Sequence, residues 1–342
     1  MKFFVSSWLR EEAARRAVAT SLALAALGLA GSAQQAPGRG AQPNFANVQM
    51  QVLHVQGNVY MIVGAGGNTT VQVGSSGVLV VDTQFAELGD KLLVAIRTIS
   101  PKPIHYIVNT HVHDDHIGGN AVLAKAGPTR PDRNPVQAGL GGNTDAKTTI
   151  IAHENVLNRM VVAGAEGRAP DLWPTDTYFG DDKEVFFNGE AVQILHQPAA
   201  HTDGDSLVFF RRSDVIATGD IFTTTMYPFI DSARGGTING VIAGLNHIID
   251  IAIPDHHVQE GGTMIIPGHG RLCDEQDVIE YRDMVTIVRD RIQIMVKKGM
   301  TIDQVKAAKP TIDFDPRYGA DSGFWTTAMF IETIYRDLSK KK

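Results

Sequence analysis

Residues 104–120 read IHYIVNTHVHDDHIGGN, and this stretch decides the fold. Ile104 to Val108 is a short apolar run of the kind that forms a buried strand. It delivers Asn109-Thr110 and then His111, His113, Asp115 and His116 within six residues, before a Gly118-Gly119 pair and a helix-like segment beginning at Asn120. Imidazoles and a carboxylate are ligands that suit Zn²⁺, and a catalytic ion needs several of them converging from a rigid support. Side chains two apart in an extended segment point the same way, so His111 and His113 can grip one ion. A turn after them swings Asp115 and His116 toward a second ion. The plainer alternative is a polar loop that solvates a strand end. Four ligand-type residues at this spacing behind a strand favour the metal site.

The same arrangement recurs downstream. Glu184 to Phe187 and Ala191 to His196 read as a hairpin about Asn188-Gly189, and the second run leads to His201. Asp214 to Thr218 reads as a strand ending in Gly219-Asp220, and Thr263 to Ile266 as a strand closed by Pro267-Gly268-His269-Gly270. Taken singly these are ordinary loop residues; at the ends of successive strands they converge. His153, between a strand at Thr149 to Ala152 and a helix at Glu154 to Val162, reads as a core or supporting residue and not as a ligand.

Upstream, from Met50, the runs QVLHV, NVYMIV, TTVQVG and GVLVVDT are β-type segments separated by Gly-Asn and Ser-Gly turns. Glu87 to Ile99 carries apolar residues at helical spacing and stops before Pro101. Ile238 to Ile251 is helical, as are Asp274 to Lys298, Ile302 to Ala308 and Phe324 to Leu338. Strands, a helix and strands again predict a layered α/β fold. The polar stretch Gly127 to Lys147 is a long loop following the first metal segment, which either borders the site or is a surface insertion with no role.

The chain has 342 residues, 43% of them hydrophobic, enough to bury a sizeable core. A net charge of −6 leaves no basic footprint, so nucleic acid is not expected as a partner. A single cysteine, Cys273, excludes a disulfide framework and a cysteine-rich zinc ribbon. Lys2, Arg10, Arg15 and Arg16 precede an apolar run from Ala17 to Ala30 and the small residues Gly31-Ser32-Ala33. That pattern predicts a signal peptide over 1–33, cleaved near Ala33, and a periplasmic or secreted mature chain. The run is shorter than the roughly 20 residues of a comfortable membrane span. Residues 34–48 read as a linker, 49–273 as the hydrolase-type domain, and 274–342 as a helical extension packed on it. The spacing of the last helices fits a cover, a dimer interface or a pocket wall alike.

His-x-His-x-Asp-His, with Asn109-Thr110 before it and Gly118-Gly119 after it, resembles the metallo-β-lactamase superfamily, and the resemblance runs from roughly Val52 to Gly270. It implies an αββα sandwich with ligands on loops along one edge of two facing sheets, here with a C-terminal helical extension. By this resemblance His111, His113 and His201 bind one Zn²⁺, Asp115, His116 and His269 bind a second, and Asp220 bridges them; Fe or Mn also suit such a set. The chain is similar to the cysteine-containing class of metallo-β-lactamases in Gly57-Asn58-Val59-Tyr60, Val81-Asp82-Thr83, His201-Thr202 and Pro267-Gly268-His269-Gly270. It departs at His116, where that class has arginine, and at Asp220, where it has cysteine. The resulting set is that of glyoxalase II and the acyl-homoserine-lactone lactonases. That class also places a lysine, which holds the β-lactam carboxylate, where this chain has Thr223, so Arg234 or the Gly127 to Lys147 loop would have to take its place. Tyr227, with Phe222 and Phe229, follows Asp220 closely enough to line the pocket, although a core or loop-packing role is the plainer reading of these aromatics.

The implied protein is an exported dizinc hydrolase acting on a small-molecule ester, lactone, thioester or β-lactam amide. The ions lower the pKa of a shared water from near 16 to roughly 7 so that hydroxide attacks the carbonyl. Asp115 orients the nucleophile as well as ligating. The alternatives are a β-lactamase proper, a mononuclear iron sulfur dioxygenase of the same fold, and a non-catalytic zinc-binding interaction protein.

Overall fold

The computed structural model describes residues 44–128, 148–162, 167–255 and 261–340. The expected signal peptide, most of the linker, and residues 129–147 of the expected border loop lie outside the described residues.

The β-branched runs pair into two sheets. The first holds β1 (Gln51–Gln56), β2 (Val59–Val63), β3 (Thr69–Gly74), β4 (Gly77–Val81), β5 (Ile104–Val108), β6 (Thr149–His153) and β7 (Asp176–Tyr178), side by side in that order. Tight turns make β1 to β4 an antiparallel meander, whereas the crossovers that follow make β4 to β7 parallel. The second holds β8 (Asp182–Phe187), β9 (Glu190–Gln197), β10 (Asp205–Phe210), β11 (Val215–Ala217) and β12 (Met264–Ile266), ordered β12-β11-β10-β9-β8. Only β11 and β12 pair in parallel there.

Alternation along the strands builds the layers. Leu79 and Val81 of β4 share a buried cluster with Val208 and Phe210 of β10, between the sheets. Val78 and Val80 point the other way, onto Leu92 and Ile96 of the helix Gly89–Ile99. Leu207 and Phe209 of β10 likewise turn outward, onto Val241 and Leu245 of the helix Ile238–Ile251. Both middle strands are thus buried on two faces and read as continuous apolar runs. The four layers are helix, sheet, sheet, helix, the αββα order implied by the resemblance. The long helix Glu275–Lys297 and the last helix Thr327–Ser339 join the second outer layer, placing Val285, Val288, Phe330 and Ile334 in the same cluster as Val241.

The caps explain where these helices differ from expectation. Asp274 and Asp277 form a reciprocal capping box that starts the long helix at Glu275. The Thr326 side chain accepts from Met329 N and starts the last helix at Thr327, so Phe324 and Trp325 remain in the preceding loop. Strand β7, three residues long and half polar, had no alternation to betray it.

The sheets are tied at one end by Glu190, which is 3% exposed. Its Oε1 accepts from Gln72 Nε2 of β3 at 2.7 Å and from Ser213 Oγ at 2.8 Å. Its Oε2 accepts from Arg212 N at 3.0 Å and Ser213 N at 2.9 Å. At the other end of the second sheet, β9 and β11 each run antiparallel to β10, so they point the same way, and β12 follows β11. Their C-terminal ends therefore open on one edge. Ser206 N to Thr110 O (2.9 Å) and Asn68 N to Gly268 O (2.7 Å) stitch that edge to the first sheet. No helix among the described residues is long and apolar enough to cross a membrane.

Candidate metal centre

β5, β9, β11 and β12 deliver their loops to that common edge, and all seven residues singled out from the sequence as ligands meet there. Ligand atoms of His111, His113, His201 and Asp220 lie within 4.8 Å of one another, as do those of Asp115, His116 and His269. Asp220 faces both groups. Its Oδ2 is 3.9 Å from His111 Nε2 and 3.8 Å from His201 Nε2. Its Oδ1 is 3.2 Å from His116 Nε2 and 3.4 Å from His269 Nε2. Asp115 Oδ2 approaches His269 Nε2 at 3.3 Å.

The surrounding hydrogen bonds decide which nitrogen of each imidazole is free to ligate. Asp82 accepts from Thr110 N at 2.8 Å, from Thr110 Oγ1 at 2.7 Å and from His116 Nδ1 at 2.7 Å. Since Thr110 spends its only hydroxyl proton on Asp82, the 3.0 Å contact between Thr110 Oγ1 and His111 Nδ1 has the histidine donating. His201 Nδ1 donates to Phe229 O at 2.5 Å, and His113 Nε2 donates to Asp231 Oδ2 at 2.9 Å. In its neutral form each ring therefore turns a lone pair inward: Nε2 of His111, His116 and His201, and Nδ1 of His113. Such outer partners fix tautomer and orientation at metal-binding histidines. His111 Nε2, His116 Nε2 and Asp220 Oδ1 are buried without a hydrogen-bond partner, an arrangement costly to a protein unless a cation is bound there. The residues fit a metal.

Electrostatics agree. Burial, reinforced by neighbouring His116 and His201, holds His111 well below its ordinary pKa, and burial with His113 brings His201 down to about 4. Both are neutral, as ligands must be. Burial raises the Asp115 carboxyl, but His116 and His269 outweigh it and leave it at about 2. Burial also raises Asp220, and the same two histidines pull it well below the usual carboxylate range. Conversely, burial lowers His269, yet Asp220 and Asp115 push it up to about 10. The pull on His269 is the pull a cation in the cluster would feel.

Close backbone approach is built in. A Cβ at Gly67 would come within 2.2 Å of the His116 ring, and one at Gly268 within 2.1 Å of Asp220 Oδ1. Asp82 itself adopts a left-handed backbone, φ 61°. An Asp82→Asn exchange keeps the shape but weakens the acceptor for His116 and Thr110. It is expected to reduce metal affinity about 10- to 100-fold, read by competition with a chromophoric chelator. Unchanged affinity would show that Asp82 has only a folding role.

The expected pocket residues fare differently. Tyr227 is not a pocket wall: it is 1% exposed, stacks on Phe330 at 4.6 Å, and donates its hydroxyl to Asp315 Oδ1 (2.8 Å) and Thr311 O (3.2 Å). Its apolar body and polar tip are both satisfied inside the core. Phe222 is also core, in a T-shaped contact with Tyr281. Arg234 lies beside the centre, its Nη1 donating at 2.7 Å to Asp231, the partner of His113. Burial raises the Asp231 carboxyl, but His113 and Arg234 bring it well below the ordinary range. Thr223 Oγ1 donates to His269 O at 3.2 Å. His153 stacks on His196 with ring centres 3.6 Å apart. Sequence reading missed Asp82 and Asp231 as supports. Asp82 carried a usable signal, a carboxylate at the end of an apolar strand; Asp231 carried none.

Residues 55–269 match the Metallo-beta-lactamase superfamily. The chain is 25% identical over 256 residues to a linear primary-alkylsulfatase of Pseudomonas sp., covering 67% of this chain and 47% of that protein. It is 26% identical over 179 residues to the 2,4-dinitroanisole O-demethylase subunit alpha of Nocardioides sp., covering 52% of this chain and 48% of the other. It thus spans about half the length of these curated relatives. Among solved structures, the stereoselective inverting sec-alkylsulfatase Pisa1 from Pseudomonas sp. superposes with a TM-score of 0.60 at 14% identity, covering 84% of this chain and 50% of that one. The DIM-1 metallo-beta-lactamase gives 0.50 at 14% identity, covering 70% and 98%. At such identities the superpositions speak for the fold alone, and they agree with the two facing sheets. With the family match running from β1 to His269, through every ligand loop, this chain belongs to the metallo-beta-lactamase superfamily.

Proposed function

We propose that the protein is an exported two-zinc hydrolase that cleaves an ester-type bond in a small molecule. The observation that carries this reading is the division of Asp220, one oxygen toward His111 and His201 and the other toward His116 and His269. In this reading His111, His113 and His201 hold one ion, Asp115, His116 and His269 hold the other, and Asp220 bridges. When bound, such a pair acidifies water and polarises the substrate. Asp115, ionised at neutral pH and 23% exposed at its side chain, is an acceptor able to orient the attacking water. Asp82, Thr110, Asp231 and the Phe229 carbonyl keep the ligand lone pairs aimed inward without reorganisation. Imidazole and carboxylate ligands also suit iron or manganese, so metal analysis comes first; a single iron per chain would favour oxygen chemistry instead.

Carbonyl esters, lactones and thioesters are the proposed substrates. Sulfate esters form a second reading, supported by the alkylsulfatases among the relatives. β-Lactams rank below both, because the position of the β-lactam-binding lysine is Thr223. The test is a hydrolysis screen on metal-quantified protein, setting an aryl ester, a lactone, a thioester, an alkyl sulfate and a chromogenic cephalosporin side by side. Turnover of one class, abolished by chelator and restored by zinc, is expected. Two zincs per chain with no turnover of any class would refute the substrate classes proposed here. N-terminal sequencing of the mature protein, expected to begin just after Ala33, tests export.

A further inference from the structure

The loop after Asp220 is held between the metal centre and the C-terminal segment. Phe229 gives its carbonyl to His201 Nδ1, while its ring stacks against His113 at 5.7 Å and 27° and lies 5.5 Å from His201. The same ring meets Trp325 at 4.8 Å and Phe324 at 5.7 Å, both edge-on. Tyr227 fastens this loop to the C-terminal segment: Tyr227 N donates to Tyr318 O, and its hydroxyl to Thr311 and Asp315. Because Thr326 caps the last helix, Phe324 and Trp325 stay in a loop. Phe229 and Phe324 remain half-buried, unlike the sealed Tyr227 and Phe330 below them.

Resting on the hydrolase reading above, we propose that Phe229, Phe324 and Trp325 form the wall that holds an apolar group of the substrate, an alkyl chain or an aryl ring, for attack. An aromatic surface one ring away from two ligand histidines is where the part of a substrate next to its reacting bond must lie. The half-buried rings of Phe229 and Phe324 gain by covering apolar area, with the buried Trp325 backing them, and none of the three is charged and would have to be desolvated. The structure thus assigns to the C-terminal segment a share in substrate choice.

The test uses zinc-loaded, full-length protein and p-nitrophenyl esters from acetate to octanoate. kcat/KM is expected to rise by about fourfold per added methylene until the wall is covered. In Phe324→Ala this gradient flattens, and Phe324→Leu restores part of it. Titration calorimetry with butanoate and octanoate supplies a readout that needs no turnover: octanoate binds more tightly, and the difference shrinks in Phe324→Ala at unchanged metal content. Octanoate preference without ester hydrolysis supports the wall while removing the hydrolase reading. Equal binding of the two acids, or a preference undiminished in Phe324→Ala, overturns the wall.

Discussion

Replacing Asp220 by alanine is expected to lower hydrolysis of any accepted substrate on the order of 10³-fold and to strip at least one metal from the chain. The magnitude follows from charge: ion-centred stabilisation of a transition state amounts to several kcal/mol, and about 1.4 kcal/mol is tenfold in rate. Among the described residues, Asp220 is the one side chain whose two oxygens reach both histidine groups. In the two-metal reading its loss removes a ligand from each ion and leaves His111 Nε2 and His116 Nε2 buried without the carboxylate beside them. Asp220→Asn keeps the volume but not the charge, and should fall between wild type and alanine in metal content. Metal analysis alongside kcat/KM checks this. An alanine variant with two metals and full activity would refute the shared-carboxylate arrangement.

The second large effect concerns stability alone. Glu190→Ala deprives three donors of their acceptor, Gln72 Nε2, Arg212 N and Ser213 N, while Ser213 Oγ keeps Asn58 Oδ1 at 2.8 Å. Buried donors left unpaired cost about 1–3 kcal/mol each, so a total loss on the order of 4 kcal/mol is expected after partial rescue by water. Glu190 begins the strand whose far end leads to His201, so the metal centre should keep its affinity. Urea unfolding of the zinc-loaded protein measures the loss, with Glu190→Gln intermediate. A shift below about 1 kcal/mol would mean that water replaces the carboxylate without penalty.

The ligand loops were legible because each follows a short β-type run, a local signal that needs no knowledge of the partner strand. His111, His201, Asp220 and His269 were therefore found where strands end. Sheet order was not legible from the residues themselves, since β4 and β5, or β11 and β12, pair across long crossovers that leave no trace in either strand. The resemblance supplied the layers instead. Tyr227 was open to both readings for the same physical reason: an aromatic ring with a polar tip suits a pocket or a core, and its partner Asp315 lies 88 positions away. Asp231 was invisible because its role depends on His113 reaching it through space.

The match to the superfamily stops at His269, yet the cluster that holds Val241, Leu245 and Ile265 continues without interruption through Val285 and Val288 to Phe330 and Ile334. The superfamily pattern and the buried core therefore have different borders in this chain. Cutting after His269 is expected to bare a broad apolar face and to release the loop that Tyr227 ties down. The C-terminal helices are thus part of the core that backs the metal edge, and a destabilising change in them is expected to be felt there.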